Sequence, residues 1–176
     1  VNINKTCKNS VKSNEEVDYE FEIMNSGETE LTEFIWYDIL PSEYAEITKI
    51  STGTYNQELI YNVCYKTNQK DVYMIAKADL KTTENNYIDL SNIHLEEGEK
   101  ITEVKINFGA VKIGFSNIEK PHIFMQMNSN LENDTKIKNY TILEGQINNF
   151  KVCDEDTAIS TIYNIIEKKK LPRTGF

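Results

Sequence analysis

Over residues 16–23 apolar and acidic side chains alternate without a break, with Val17, Tyr19, Phe21 and Ile23 on one side and Glu16, Asp18, Glu20 and Glu22 on the other. Successive side chains of a strand point to opposite faces, whereas a helix would scatter these residues around its circumference. The stretch therefore predicts a strand with one face in a core and one in water. The same alternation places Val1, Ile3, Lys5 and Cys7 opposite Asn2, Asn4 and Thr6 in a first strand. It resumes over residues 31–40, up to Pro41, and sets Leu59, Tyr61, Val63 and Tyr65 against Ile60, Asn62, Cys64 and Lys66. Residues 67–70 read as a hairpin loop into a strand over 71–77, and further strands are expected at 87–90, 101–108, 122–127, 135–142 and 146–153. Gly109, Gly114, Gly145 and the stretch 128–134 are read as breaks, and Asp154, Glu155 and Asp156 as an acidic turn. Residues 158–166 place Ile159, Ile162, Tyr163 and Ile166 at helical spacing, but their isoleucine and threonine content favours a strand. Ten tyrosines with only three prolines complete an all-β composition. Many short alternating strands without a strong helix predict a β-sandwich.

A chain of 176 residues suffices for one well-cored domain. The net charge of -9 argues against nucleic acid or an anionic membrane as a partner. No apolar run approaches the length needed to span a bilayer. Cys7, Cys64 and Cys153 form an odd set without metal or redox spacing and are expected as free thiols. His94 and His122 lie in different segments with no local spacing for thiol catalysis, and the acidic stretches lack the glycine and spacing of a calcium loop. No metal or cofactor is expected.

Polar residues on otherwise apolar faces are the informative ones. Lys5 shares a face with Val1 and Ile3, Asp38 with Phe34, Trp36 and Leu40, and Asn139 with Ile137. Burying an unpaired lysine or aspartate costs several kcal/mol, so these residues either meet or lie on misread faces. A buried ion pair and a Lys5 that reaches solvent at the sheet edge are the plainer alternatives.

The chain ends in Leu171-Pro172-Arg173-Thr174-Gly175-Phe176, preceded by Lys168, Lys169 and Lys170. This resembles the Leu-Pro-any-Thr-Gly signal that sortase transpeptidases cleave between threonine and glycine in Gram-positive bacteria. Pro172 suits an extended substrate by fixing its own φ and holding Leu171 out of the helical region. The resemblance implies a surface protein joined through Thr174 to peptidoglycan, with sortase as its partner. A complete signal would continue with about 20 apolar residues, so a trimmed chain whose leader is also removed is expected. The organisation expected is a β-sandwich over 1–166, a basic spacer over 167–170 and the sorting motif over 171–176.

A second resemblance runs along the body of the chain. Lys5-Thr6, Val17-Asp18-Tyr19-Glu20-Phe21, Asn25-Ser26-Gly27 and Trp36-Tyr37-Asp38-Ile39-Leu40-Pro41 follow the order found in the conserved-repeat, immunoglobulin-like domains of such surface proteins. Thr52-Gly53-Thr54-Tyr55-Asn56, Tyr65-Lys66-Thr67-Asn68, Asn107-Phe108-Gly109 and Gly114-Phe115 resemble a longer version of them. The fold implied is an immunoglobulin-like or jelly-roll sandwich. In these families an early lysine, a central acid and a late asparagine form a spontaneous isopeptide bond, and the matching positions are Lys5, Asp38 and Asn139, with Lys8, Lys12 and Asn148 as weaker stand-ins. Asn4, Asn133 and Asn139 also head glycosylation triplets, which are discounted in a sortase-bearing organism. The function implied is structural or adhesive, as stalk, pilin or adhesin, and not enzymatic. The alternatives are a wall-attached hydrolase and a ligand-binding adhesin without the bond.

Overall fold

The computed structural model describes residues 1–165 and Gly175. Its strands, in chain order, are β1 (Asn2–Thr6), β2 (Ser10–Val11), β3 (Glu16–Met24), β4 (Phe34–Ile39), β5 (Ala45–Ser51), β6 (Thr54–Tyr55) and β7 (Ile60–Thr67). They continue with β8 (Met74–Lys81), β9 (Tyr87–Asp89), β10 (Ile101–Asn107), β11 (Asn117–Glu119), β12 (His122–Met127), β13 (Lys136–Ile147) and β14 (Phe150–Ile162). Among the described residues no helix is long and apolar enough to cross a membrane.

Two sheets enclose the core. One runs β1-β3-β12-β5-β9 and the other β2-β14-β13-β4-β10-β7-β8, while β6 and β11 form a small separate pair. Strands β1, β3, β4, β5, β12, β13 and β14 occupy the positions of the A to G strands of an immunoglobulin sandwich, with A-B-E-D in one sheet and G-F-C in the other. Strands β10, β7 and β8 extend the second sheet beyond β4, and β9 extends the first. The chain changes sheets early, since β1 pairs with β3 while β2 pairs in parallel with β14. The alternation in β3 works as expected: Val17, Tyr19, Phe21 and Ile23 are buried and meet Phe34, Trp36, Ile106, Ile123 and Met125 in one apolar core.

Three local expectations fail for identifiable reasons. Gly145 does not end a strand, because β13 runs through it to Ile147. The chain reverses at Asn148 and Asn149, whose φ values of 46° and 68° are both left-handed, while Ile147 pairs with Phe150. Asparagine tolerates that conformation, which a two-residue hairpin of matching twist requires. Gly145 packs closely against Leu31 instead, and a Cβ there would sit 2.7 Å from Leu31 Cδ1 and oblige that side chain to shift. The acidic triplet is likewise no turn, because Asp154, Glu155 and Asp156 lie within β14. After β7 the next strand starts only at Met74. Residues 68–73 are held in the loop, where Lys70 N–H donates to Thr67 Oγ1 and Asp71 pairs with Lys66. The strand expected over 158–166 is present through Ile162, and Ile166 lies outside the described residues.

Candidate functional site

Lys5, Asp38 and Asn139 come together inside the sandwich. Lys5 points inward because it keeps the alternation of β1, and its backbone pairs with Phe21. Asp38 takes the corresponding inward position of β4, opposite Thr141 of β13, and Asn139 lies two residues from Thr141 on the same buried face. The lysine thus belongs to one sheet, the acid and the amide to the other. Lys5 Nζ donates to Asp38 Oδ1, with both side chains fully shielded from solvent.

Aromatic rings wall the pair. Lys5 Nζ lies 5.1 Å from the centre of the Tyr19 ring and 4.9 Å from that of Phe21. Phe21 packs edge-on against Trp36 at 4.6 Å, Trp36 Nε1 donates to Thr141 Oγ1 at 2.8 Å, and Thr141 Oγ1 donates to the Tyr37 carbonyl at 2.8 Å. These contacts exclude water from the site and fix the face of β13 that carries Asn139.

The polar atoms inside this wall are under-satisfied. Among the described residues Asp38 Oδ2, Tyr19 Oη and both amide atoms of Asn139 are buried without a hydrogen bond of good geometry, although Asn139 and Thr141 lie close enough to Asp38 to help hold its carboxyl down. An orphaned buried polar group costs about 1–3 kcal/mol, so a fold rarely keeps several together without a use for them. Burial pushes the Lys5 amine down to about 8, against the opposing pull of Asp38, and pushes the Asp38 carboxyl up, against the opposing charge of Lys5. Both shifts favour the uncharged partners. Moving one proton along the existing hydrogen bond converts the ion pair into a free amine beside a carboxylic acid, the two groups that acyl transfer from a neighbouring amide requires.

The stand-ins do not join this cluster. Lys8 pairs with Glu15 on the surface, Lys12 is exposed, and Asn148 forms the hairpin turn. His122 faces Asp18 at 2.7 Å on the outer side of the first sheet, whereas His94 is exposed in the segment after β9. Cys7, Cys64 and Cys153 are free thiols. The expected basic spacer over 167–170 and residues 171–174 and 176 of the expected sorting motif lie outside the described residues, and Gly175 is exposed. Tyr19, Trp36 and Thr141 were not expected as parts of the site. Alternation marked the face of Tyr19 and Trp36, but only the contacts between the sheets show that they border the same site.

No protein-family model and no curated protein matches this chain. Among solved structures it is similar to the collagen-binding subdomain ACE19 of the Enterococcus faecalis surface protein ACE, at 13% identity and TM-score 0.41, over 90% of this chain and 95% of that one. It is also similar to the seventh ScaB type I cohesin of Pseudobacteroides cellulosolvens, at 9% identity and TM-score 0.46, over 96% and 97% of the two chains. A third likeness is to the C-terminal domain of the Streptococcus agalactiae AgI/II polypeptide BspA, at 12% identity and TM-score 0.44, over 91% of this chain and 49% of that one.

Proposed function

We propose that this chain is a structural, adhesive-type module of a wall-anchored bacterial surface protein, and that Lys5 and Asn139 join in an isopeptide bond promoted by Asp38. The observation that carries the reading is the buried cluster in which Lys5 of one sheet pairs with Asp38 of the other and Asn139 lies beside that acid. A buried ion pair alone is a poor source of stability compared with apolar packing, so retention of this trio is better explained by chemistry than by its electrostatics. The neutral Nζ attacks Asn139 Cγ while the Asp38 acid donates a hydrogen bond to Oδ1. Asp38 then carries one proton from Nζ to Nδ2, the Cγ–Nδ2 bond breaks, and ammonia leaves. The Nζ–Cγ amide replaces the Cγ–Nδ2 amide, with no oxidant or cofactor involved. The fold supplies the proximity that a bimolecular reaction would lack.

Intact mass tests the reading. The folded chain should weigh one ammonia less than its sequence, and a peptide map should show residues 5 and 139 linked. A full sequence mass after complete folding ends the proposal. Timing the loss after dilution of never-folded chain from denaturant adds a pH signature. The reactive pair holds one proton between Nζ and the carboxyl. Closure should therefore run through neutral pH, slow above about 8 as the Lys5–Asp38 pair loses that proton, and slow again in acid as a second proton makes the amine an ammonium.

The anchoring half has its own test. Incubation with a class A sortase and a glycine nucleophile should release Gly175-Phe176 and leave an adduct on Thr174. Absence of the adduct, under conditions that process a control peptide, removes the wall-anchored part of the reading and leaves the cross-link untouched.

A further inference from the structure

We infer that Asp154 and Asp156 are positioning residues, a side-chain clamp that seats β1 in the register that brings the Lys5 amine to Asn139; the inference rests on the closure reaction proposed above. Strand β1 is the edge of its sheet and pairs with β3 along one side only. On its other side the Ile3 N–H donates to Asp154 Oδ2 at 2.9 Å and the Lys5 N–H donates to Asp156 Oδ2 at 2.7 Å. Carboxylates accept from backbone N–H groups strongly and offer no competing donor. Further along, Ser160 Oγ donates to the Lys8 carbonyl at 2.6 Å and lies 3.1 Å from Cys7 Sγ.

These contacts all come from alternate residues of β14, on the side that also buries Ala158 and Ile162. The acids replace the missing neighbour strand for β1 although β14 belongs to the other sheet. Residues 3 and 5 meet 154 and 156 in ascending order, so β1 runs parallel to β14. A slip of one residue would turn Lys5 to the outer face, and a slip of two would carry its Cα about 7 Å along the strand. Five backbone pairs with β3 hold one side of the strand, and the two carboxylates tie its other side to β14 at residues 3 and 5.

The test compares the full chain with the Asp154→Ala/Asp156→Ala and Asp154→Asn/Asp156→Asn double variants. Closure is followed as ammonia loss after dilution from denaturant. Hydrogen exchange at the Ile3 and Lys5 amides is followed in an Asn139→Ala background, where no cross-link can mask the docking of β1. The alanine pair should slow closure by on the order of 10²-fold, the loss that misplacement by about 1 Å brings, and should speed exchange at both amides. The asparagine pair, which keeps an accepting oxygen, should restore most of both; a role that is merely electrostatic would not be rescued. Unchanged closure in the alanine pair overturns the positioning role while the cross-link reading stands. Unchanged exchange overturns the clamp itself. A wild-type chain that never loses ammonia ends the cross-link reading and the positioning role with it, and faster exchange in the alanine pair would then still identify a clamp that serves docking alone.

Discussion

Asp38→Ala is expected to leave the chain at its full sequence mass and to lower its stability more than any other single change at the site. Two losses combine in it. Removing the carboxyl takes away the proton carrier, and it leaves the Lys5 amine fully buried without its counter-charge. Breaking a buried pair from one side typically costs about 3–5 kcal/mol. A cross-link from the first strand to a late one also constrains the unfolded chain; a disulfide closing about 100 residues is worth roughly 4–5 kcal/mol on the same reasoning. Neighbouring variants should rank below it. Asp38→Asn keeps the shape and an accepting oxygen but cannot carry the proton, so closure stops at a smaller cost. Lys5→Ala also abolishes closure, yet Asp38 can remain protonated and neutral in the space left. Intact mass and urea denaturation of the three variants read both quantities. Retention of the ammonia loss in Asp38→Ala would remove the acid from the mechanism.

Trp36→Ala should be the most damaging change outside the trio. The side chain is fully buried, and removing a core tryptophan costs about 3–5 kcal/mol through lost burial and the cavity left. Its edge-on contact with Phe21 and its hydrogen bond to Thr141 are lost as well. The consequence for chemistry is indirect. Phe21 and Tyr19 wall the Lys5 amine, so loosening Phe21 admits water and weakens the desolvation that holds the amine down to about 8. More of the lysine then stays an ammonium at neutral pH, and closure slows. Trp36→Phe keeps most of the apolar volume and loses only the donor to Thr141, so it should close faster than the alanine variant. Equal closure rates in wild type and Trp36→Ala, with the melt shifted, would confine Trp36 to packing.

The faces of the strands were legible in the sequence because a period of two is a strong local pattern. It put Tyr19, Phe21, Trp36 and Ile23 inside, and it flagged Lys5, Asp38 and Asn139 as polar intruders on apolar faces, which is where all three are found. Their meeting was not legible from the pattern. Alternation says which side a residue occupies but not which strands are neighbours, and the expectation that these three meet came from the order of motifs in a resembled family. The acids of β14 show the same limit. Asp154 and Asp156 read as a turn because three consecutive acids look solvated, yet alternate members face β1 and find backbone N–H groups there. Gly145 misled for a related reason: it sits within a strand and packs against Leu31, far away in the chain.

The parallel course of β1 and β14 decides how this domain meets mechanical load. The chain enters at the start of β1 and leaves beyond the end of β14, at opposite ends of their seam. Tension between the two ends therefore drags the strands lengthwise past each other, and the bonds along the seam must yield together instead of one after another as in a zipper. With Lys5 and Asn139 joined, force would pass from the first few residues straight into β13, and the segment between them, which holds most of the hydrophobic core, would carry none of it.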